Sequence, residues 1–135
     1  MTTTVPTTPK KLIYIIDDDT IYVYTLKYLI TSKCPECNVL TFKNGKEAYD
    51  KLSNLNINTE IPNYIFVDIN MPIMNGWEFL DNSKLLQLNN DIKYFILSGS
   101  VDNEDVIKAS TYSQVKKYLS KPVSPEVVLE VLEIA

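Results

Sequence analysis

Two uninterrupted apolar runs, each stopped by aspartate, constrain the fold of this chain more than any other feature. Leu12-Ile13-Tyr14-Ile15-Ile16 ends at Asp17-Asp18-Asp19, and Tyr64-Ile65-Phe66-Val67 ends at Asp68. A strand with one wet face alternates polar and apolar residues. A run without polar residues suits a strand covered on both faces, as in a parallel sheet. Parallel neighbours cannot be joined by tight hairpins, so the intervening segments must cross over and supply the covering helices.

The rest of the chain fits that demand. From Thr20 to near Ser32, Ile21, Tyr24, Tyr28 and Leu29 recur at helical spacing. Val39–Phe42 reads as a second strand, and a helix from Asn44 to near Leu55 would turn Ala48 and Leu52 inward. After the polar link Asn54–Asn63 and the Tyr64–Val67 strand comes the loop Asn70–Gly76. A third helix then runs from Trp77 to near Leu88, with Trp77, Leu80 and Leu85 near one face. Lys93–Leu97 is a fourth strand. Asp102 caps a short helix to Ser110, with Asp105 in the position of a capping box. Val115–Leu119 is a fifth strand, and its Lys116 and Lys117 suit an edge that must resist pairing. Ser124 as N-cap and Pro125 at the first helical position open a last helix to Ile134. Alternating strand–helix units predict a doubly wound α/β fold, (βα)5. Right-handed crossovers favour the flavodoxin-like strand order 2-1-3-4-5.

Length and composition agree with one such domain. The chain has 135 residues, 45% hydrophobic and 22% charged. Residues 1–10 are rich in Thr and Pro and read as a flexible tail, leaving 11–135 for the domain. No apolar run reaches the roughly 20 residues of a membrane span, and the first residues lack a signal-peptide core; a cytoplasmic protein without a membrane partner is expected. There is no histidine, which excludes Ser-His-Asp and Cys-His chemistry within the chain. All 13 basic residues are lysine, against 17 acids, for a net charge of -4. An acidic chain without arginine is a poor nucleic-acid binder, so no direct nucleic-acid contact is expected. Cys34 and Cys37 lack the two further ligands a zinc site needs, and they follow a helix rather than open one. A loop with two reduced cysteines is the expectation.

In doubly wound folds, ligands bind beyond the carboxyl ends of the strands. That rule gathers Asp17, Asp18 and Asp19 from the first strand, Asp68 from the third, Ser98 from the fourth and Lys121 after the fifth. Two carboxylates about 4 Å apart repel by about 1 kcal/mol in water and several times more in a protein. A hard divalent cation with oxygen ligands is the natural counter-charge. Asp19 is more simply a helix cap. A serine at a strand end is ordinarily a turn residue and a lone lysine ordinarily solvated; the shared edge is what singles out Ser98 and Lys121. A fixed carboxylate beside a metal can attack a phosphoryl group, whose spread charge the cation, lysine and hydroxyl would share.

Four segments in order carry a family resemblance: Ile15-Ile16-Asp17-Asp18-Asp19, Val67-Asp68-Ile69-Asn70-Met71-Pro72-Ile73-Met74-Asn75-Gly76, Leu97-Ser98-Gly99-Ser100 and Tyr118-Leu119-Ser120-Lys121-Pro122. Over residues 11–135 the chain resembles the receiver domain of two-component response regulators, of the stand-alone type. The resemblance implies that Asp68 accepts a phosphoryl group from a phosphohistidine on a sensor histidine kinase or histidine phosphotransfer protein. It implies Mg2+, with Mn2+ able to substitute, held by Asp18, Asp68 and the backbone carbonyl of Asn70, with Asp17 acting largely through water. It makes Ser98 the switch hydroxyl, Lys121 the phosphate-pairing lysine, Tyr118 the switch aromatic and the Lys121–Pro122 bond cis. The face of the fourth helix, fifth strand and fifth helix would change on phosphorylation and address an output protein, or the phosphoryl would pass along a phosphorelay. Gly99 stands where a small Ala or Ser is usual, and Asn75 where Asp is common before Gly76. Asn70 and Ser100 hold positions that tune dephosphorylation. Such a protein is not an enzyme beyond its own phosphorylation and dephosphorylation.

Two other readings use the same residues. A receiver-like scaffold would bind partners without phosphorylation, which the complete set of Asp17, Asp18, Asp68, Ser98 and Lys121 disfavours. A haloacid-dehalogenase-type phosphohydrolase would use Asp17 as nucleophile with Asp19. It needs an acidic pair after the lysine, where only Glu126, Glu130 and Glu133 follow, in a predicted helix.

Overall fold

A computed structural model of the chain describes residues 11–55, 61–88, 91–99 and 102–133. The tail 1–10, Ser100 and the last helix's expected end at Ile134 lie outside them. Elements alternate strictly: β1 (Leu12–Ile16), α1 (Thr20–Lys33), β2 (Asn38–Phe42), α2 (Gly45–Ser53), β3 (Tyr64–Asp68), α3 (Gly76–Leu85), β4 (Lys93–Ser98), α4 (Asn103–Ser110), β5 (Val115–Ser120) and α5 (Pro125–Val131). All strand pairs are parallel, in the order β2-β1-β3-β4-β5. The doubly wound expectation holds.

The two apolar runs become the central strands β1 and β3, buried at every position. Their alternate side chains feed two separate cores. Ile13, Ile15 and Phe66 pack with Leu26 and Ile30 of α1 and Val128 of α5. Tyr14, Ile16, Ile65 and Val67 pack with Ala48, Leu52, Phe79 and Leu80 of α2 and α3. The sheet is thus covered on both faces, as a strand without polar positions requires. β5 closes one edge with Lys116 and Lys117 exposed.

Helix ends follow local chemistry. Asp19, Asn44, Asn75, Asp102 and Ser124 each cap a helix by accepting a backbone N–H. The reciprocal capping box belongs to Asn75 and Glu78 at α3. At α4, Asp102 accepts from the Glu104 N–H.

Three expectations are corrected. On α1, the stripe Ile21, Tyr24 and Tyr28 faces solvent, at 80%, 77% and 70% exposure, while Leu26 and Ile30 are buried. Only Leu29 of the expected set packs against the core. The helix is apolar nearly all round, so spacing alone could not say which stripe turns inward. On α3, Leu85 is exposed, and Phe79, Leu80 and Ser83 are buried. Cys34 and Cys37 are joined in a disulfide, not reduced. Cys34 ends α1 by donating its N–H to the Ile30 carbonyl, and the Cys37 N–H closes onto the Cys34 carbonyl at 3.0 Å. That turn brings the two Cα atoms to 5.4 Å, within disulfide range, and buries both side chains.

Gly76 shows how tightly α3 meets the end of β3. A Cβ there would lie 2.5 Å from the Asp68 carbonyl oxygen and 2.7 Å from the Ile69 Cα. Both neighbours are backbone and cannot swing away. Gly76→Ala is therefore expected to cost about 2–3 kcal/mol by overpacking, read as a lower urea midpoint at unchanged slope.

Candidate functional site

Each acid reaches the carboxyl edge of the sheet for a local reason. Asp17 follows the last residue of β1, and its N–H continues the ladder to the Phe42 carbonyl at 3.0 Å. Its Oδ1 accepts the Asp19 N–H at 2.9 Å, which turns the chain into α1. Asp68 is the last residue of β3, paired in register with Leu97 of β4. Its Oδ1 accepts the Asn70 N–H at 3.2 Å, so the loop is tied to the carboxylate it leaves.

That loop is sharply bent. Ile73 takes φ 70°, and the Met74 N–H reaches back to the Pro72 carbonyl at 2.7 Å. A β-branched residue in this turn holds on the order of 1–3 kcal/mol of backbone strain. Ile73 carries the left-handed turn geometry of the loop, and Asn75 caps α3. The Gly76 N–H to the Ile69 carbonyl and the Gly45 N–H to the Met74 carbonyl fasten both ends of the loop.

The structure brings Asp17, Asp18 and Asp68 together, with one carboxylate oxygen of each within 4.8 Å of the others. Asp17 and Asp68 are buried and Asp18 is exposed. Lys121 completes the cluster: its Nζ lies 2.6 Å from Asp17 Oδ2 and 3.5 Å from Asp68 Oδ2. The lysine is delivered by a cis Lys121–Pro122 bond and by its own N–H, which donates to the Ser98 carbonyl at 2.8 Å. Ser98 is fully buried at the end of β4, in register with Ser120. Tyr118 is half-buried on β5 beside Ile96, on the sheet face that Ser98 shares. Asp19 stays apart as the cap of α1, accepting the Tyr22 N–H.

The electrostatics leave the cluster short of positive charge. Burial pushes the Asp68 carboxyl up to about 6, the neighbouring Asp17 adds to the rise, and the Asn70 N–H and Lys121 only partly oppose it. For Lys121, burial works to lower the ammonium's pKa, but the hydrogen bond and charge of Asp17 and the charge of Asp68 outweigh it and hold it above the usual lysine value. One ammonium faces two buried carboxylates and a third at the surface. An all-oxygen donor set of this charge, open on one side, fits a hard divalent cation.

The profile of the response regulator receiver domain matches residues 13–133. The chain belongs to the response regulator receiver domain family. The receiver domain is 33% identical over 124 residues to the nitrate/nitrite response regulator protein NarL of Escherichia coli K12, covering 91% of this chain and 53% of NarL. It is 30% identical over 97 residues to the chemotaxis protein CheY1 of Helicobacter pylori, covering 72% of this chain and 74% of CheY1. A two component response regulator from Cytophaga hutchinsonii superposes with a TM-score of 0.83 at 29% identity, over 93% of this chain and 96% of that one. This receiver domain thus spans about half the length of NarL and 23% of a further curated relative. Among the described residues no helix is long and apolar enough to cross a membrane.

Sequence reading has no signal for two further contacts of the receiver domain. Tyr22 of α1 lies against the Lys121 ammonium and the Val123 N–H, 101 positions further along the chain. Trp77 is not simply core: it stacks on Tyr112 at 5.6 Å beneath the Lys108 ammonium, which ties α3 to α4.

Proposed function

We propose that this receiver domain is a phosphorylation switch in which Asp68 takes a phosphoryl group from a phosphohistidine on a sensor histidine kinase or phosphotransfer protein. The observation that carries the reading is the cluster itself: a buried carboxylate at a strand end, tied to its loop, with two more carboxylates and an ammonium around it. Mg2+ would be held by Asp18, Asp68 and the Asn70 carbonyl, with Asp17 behind, and would supply the charge neutralisation that phosphoryl transfer needs.

The chain's own groups divide the remaining work. The Asp68 carboxylate is the nucleophile, and the Asn70 N–H fixes its orientation. Lys121 places its ammonium on the side of Asp68 that Asp17 occupies, where a new phosphoryl oxygen gains a partner. Ser98 lies at the end of the adjacent strand, and its hydroxyl would close on the phosphoryl. Tyr118 shares that sheet face, so movement at Ser98 is transmitted to α4, β5 and α5 by packing, biasing an existing two-state equilibrium. That surface would meet the output protein, or the group would pass on through a relay. The absence of histidine fits this division of labour, because the partner provides it.

Incubation with acetyl phosphate and Mg2+ is expected to add one phosphoryl group, labile to hydroxylamine as an acyl phosphate is. Peptide mapping after reductive trapping should place it on Asp68. Label on a hydroxyl residue, or none, would overturn the reading.

A further inference from the structure

Tyr22 occupies the first turn of α1, just beyond the Asp19 cap, whose side chain accepts its backbone N–H at 3.1 Å. Its side chain leaves its own helix and touches the opposite end of the chain in two places. The hydroxyl oxygen accepts the Val123 N–H at 3.3 Å. The ring lies under the Lys121 ammonium, with Nζ 4.9 Å from the ring centroid. The residue is half-buried and packs on the α1–α5 core.

These contacts address a specific difficulty of the site. Lysine is a point charge on a stem with four rotatable bonds, and nothing in its own geometry aims it. Two carboxylates attract the ammonium, with the closer contact to Asp17 at 2.6 Å and the longer one to Asp68 at 3.5 Å. A ring face against the cation restricts its approach to one side and favours the charged form by its quadrupole. The hydroxyl at the same time fastens the segment just past the cis Lys121–Pro122 bond, from which the lysine projects.

We infer that Tyr22 is a positioning residue for phosphoryl transfer, its ring aiming the Lys121 ammonium into the Asp17–Asp68 cluster and its hydroxyl anchoring the Val123 backbone. The inference rests on the phosphoacceptor reading for its kinetic part alone; the placement of the ammonium stands by itself. Burial raises the Tyr22 phenol above its usual pKa, partly opposed by the Val123 hydrogen bond and by Lys121, so the hydroxyl beside the ammonium is uncharged at neutral pH.

The test uses the full chain and two variants. Ring-current displacement should move the Lys121 ε-methylene NMR signals upfield in the wild type. The displacement should persist in Tyr22→Phe and vanish in Tyr22→Leu. With acetyl phosphate at saturating Mg2+, Tyr22→Leu should take up phosphoryl about three- to tenfold more slowly, the range expected for a lost cation–π contact. Tyr22→Phe should stay within about twofold of wild type, because the ring face remains. The Mg2+ dissociation constant should not change in either variant, which separates positioning of Lys121 from general damage to the acidic cluster. In Tyr22→Phe, the Val123 amide should exchange faster with solvent. Wild-type kinetics in Tyr22→Leu would overturn the inference, as would Lys121 signals at unperturbed positions in the wild type. If Tyr22→Leu does not fold, the Lys121 signals of wild type and Tyr22→Phe decide. A wild-type chain that takes up no phosphoryl would defeat the phosphoacceptor reading and the kinetic claim, while displaced Lys121 signals would still uphold the placement.

Discussion

Asp68→Asn is expected to do two things at once: end phosphoryl uptake completely and make the metal-free protein more stable at pH 8. The first follows, under the proposed phosphoacceptor role, from removing the oxygen that would attack. The second follows from the electrostatics of the cluster. The Asp68 carboxyl titrates near 6 in the folded chain, above its ordinary value of 3.8, because burial and the Asp17 charge both penalise ionisation. A folded pKa raised above the unfolded one means that the folded state holds the proton more tightly. Relative to acid solution, stability is then lost as pH rises through about 4 to 6 and Asp68 ionises. Asparagine keeps the shape and carries no charge. The variant should therefore exceed the wild type by about 2 kcal/mol at pH 8 in EDTA, with the difference closing towards pH 4. Saturating Mg2+ should reverse the order, because the proposed binding to the native wild type would stabilise it by mass action and the variant would lack one of the proposed ligands. Urea titrations at the two pH values, with and without metal, read all of this. A metal-free variant less stable than wild type at pH 8 would show that the acidic cluster is not charge-strained.

Lys121→Met should have the opposite effect on stability. The methionine fills nearly the same space, so packing changes little and charge changes most. Asp17 has no side-chain exposure and loses the ammonium at 2.6 Å, its partner in the described ion pairs. Leaving a buried charge without its partner ordinarily costs about 3–5 kcal/mol; the 16% exposure of Lys121 places this case near the lower end. Asp68 loses the charge that opposed its raised pKa and should titrate higher still. Mg2+ should restore part of the lost stability, since it brings charge to the same oxygens. Phosphoryl uptake should fall steeply even where the metal saturates, because on the incoming phosphoryl group the cation and the lysine would neutralise different oxygens. Equal metal-free stability of wild type and variant would mean that Asp17 is compensated by some other group.

Much of the fold was legible because its signals are local. The runs Leu12–Ile16 and Tyr64–Val67 contain no polar position, so they had to be central and parallel, and they are. Asp102, Ser124 and Pro125 mark helix starts by hydrogen-bond chemistry that acts within three residues. The face of α1 was not legible. Ile21, Tyr24 and Tyr28 look as apolar as Leu26 and Ile30, and which stripe is buried depends on where α5 and the sheet lie. The pairing of Cys34 with Cys37 was missed for a related reason. A search for metal ligands or a redox motif weighs residue types, whereas the bond depends on a turn that brings two Cα atoms to 5.4 Å.

By itself the sequence determined the order of strands and helices, the family, and the collection of Asp17, Asp18, Asp68, Ser98 and Lys121 at one edge. The order and the shared edge follow from hydrophobic period and from the rule that strand ends in a parallel sheet share an edge; the family follows from the resemblance carried by four motif segments at those strand ends. The tertiary structure alone decided the distances within that edge: which carboxylate takes the lysine, why Asp68 is held near pH 6, and that a tyrosine from the first turn of α1 lies under the ammonium. Coulomb energy and desolvation vary steeply over a few ångströms, and those separations are set by how the crossovers pack, which no local pattern of residues encodes.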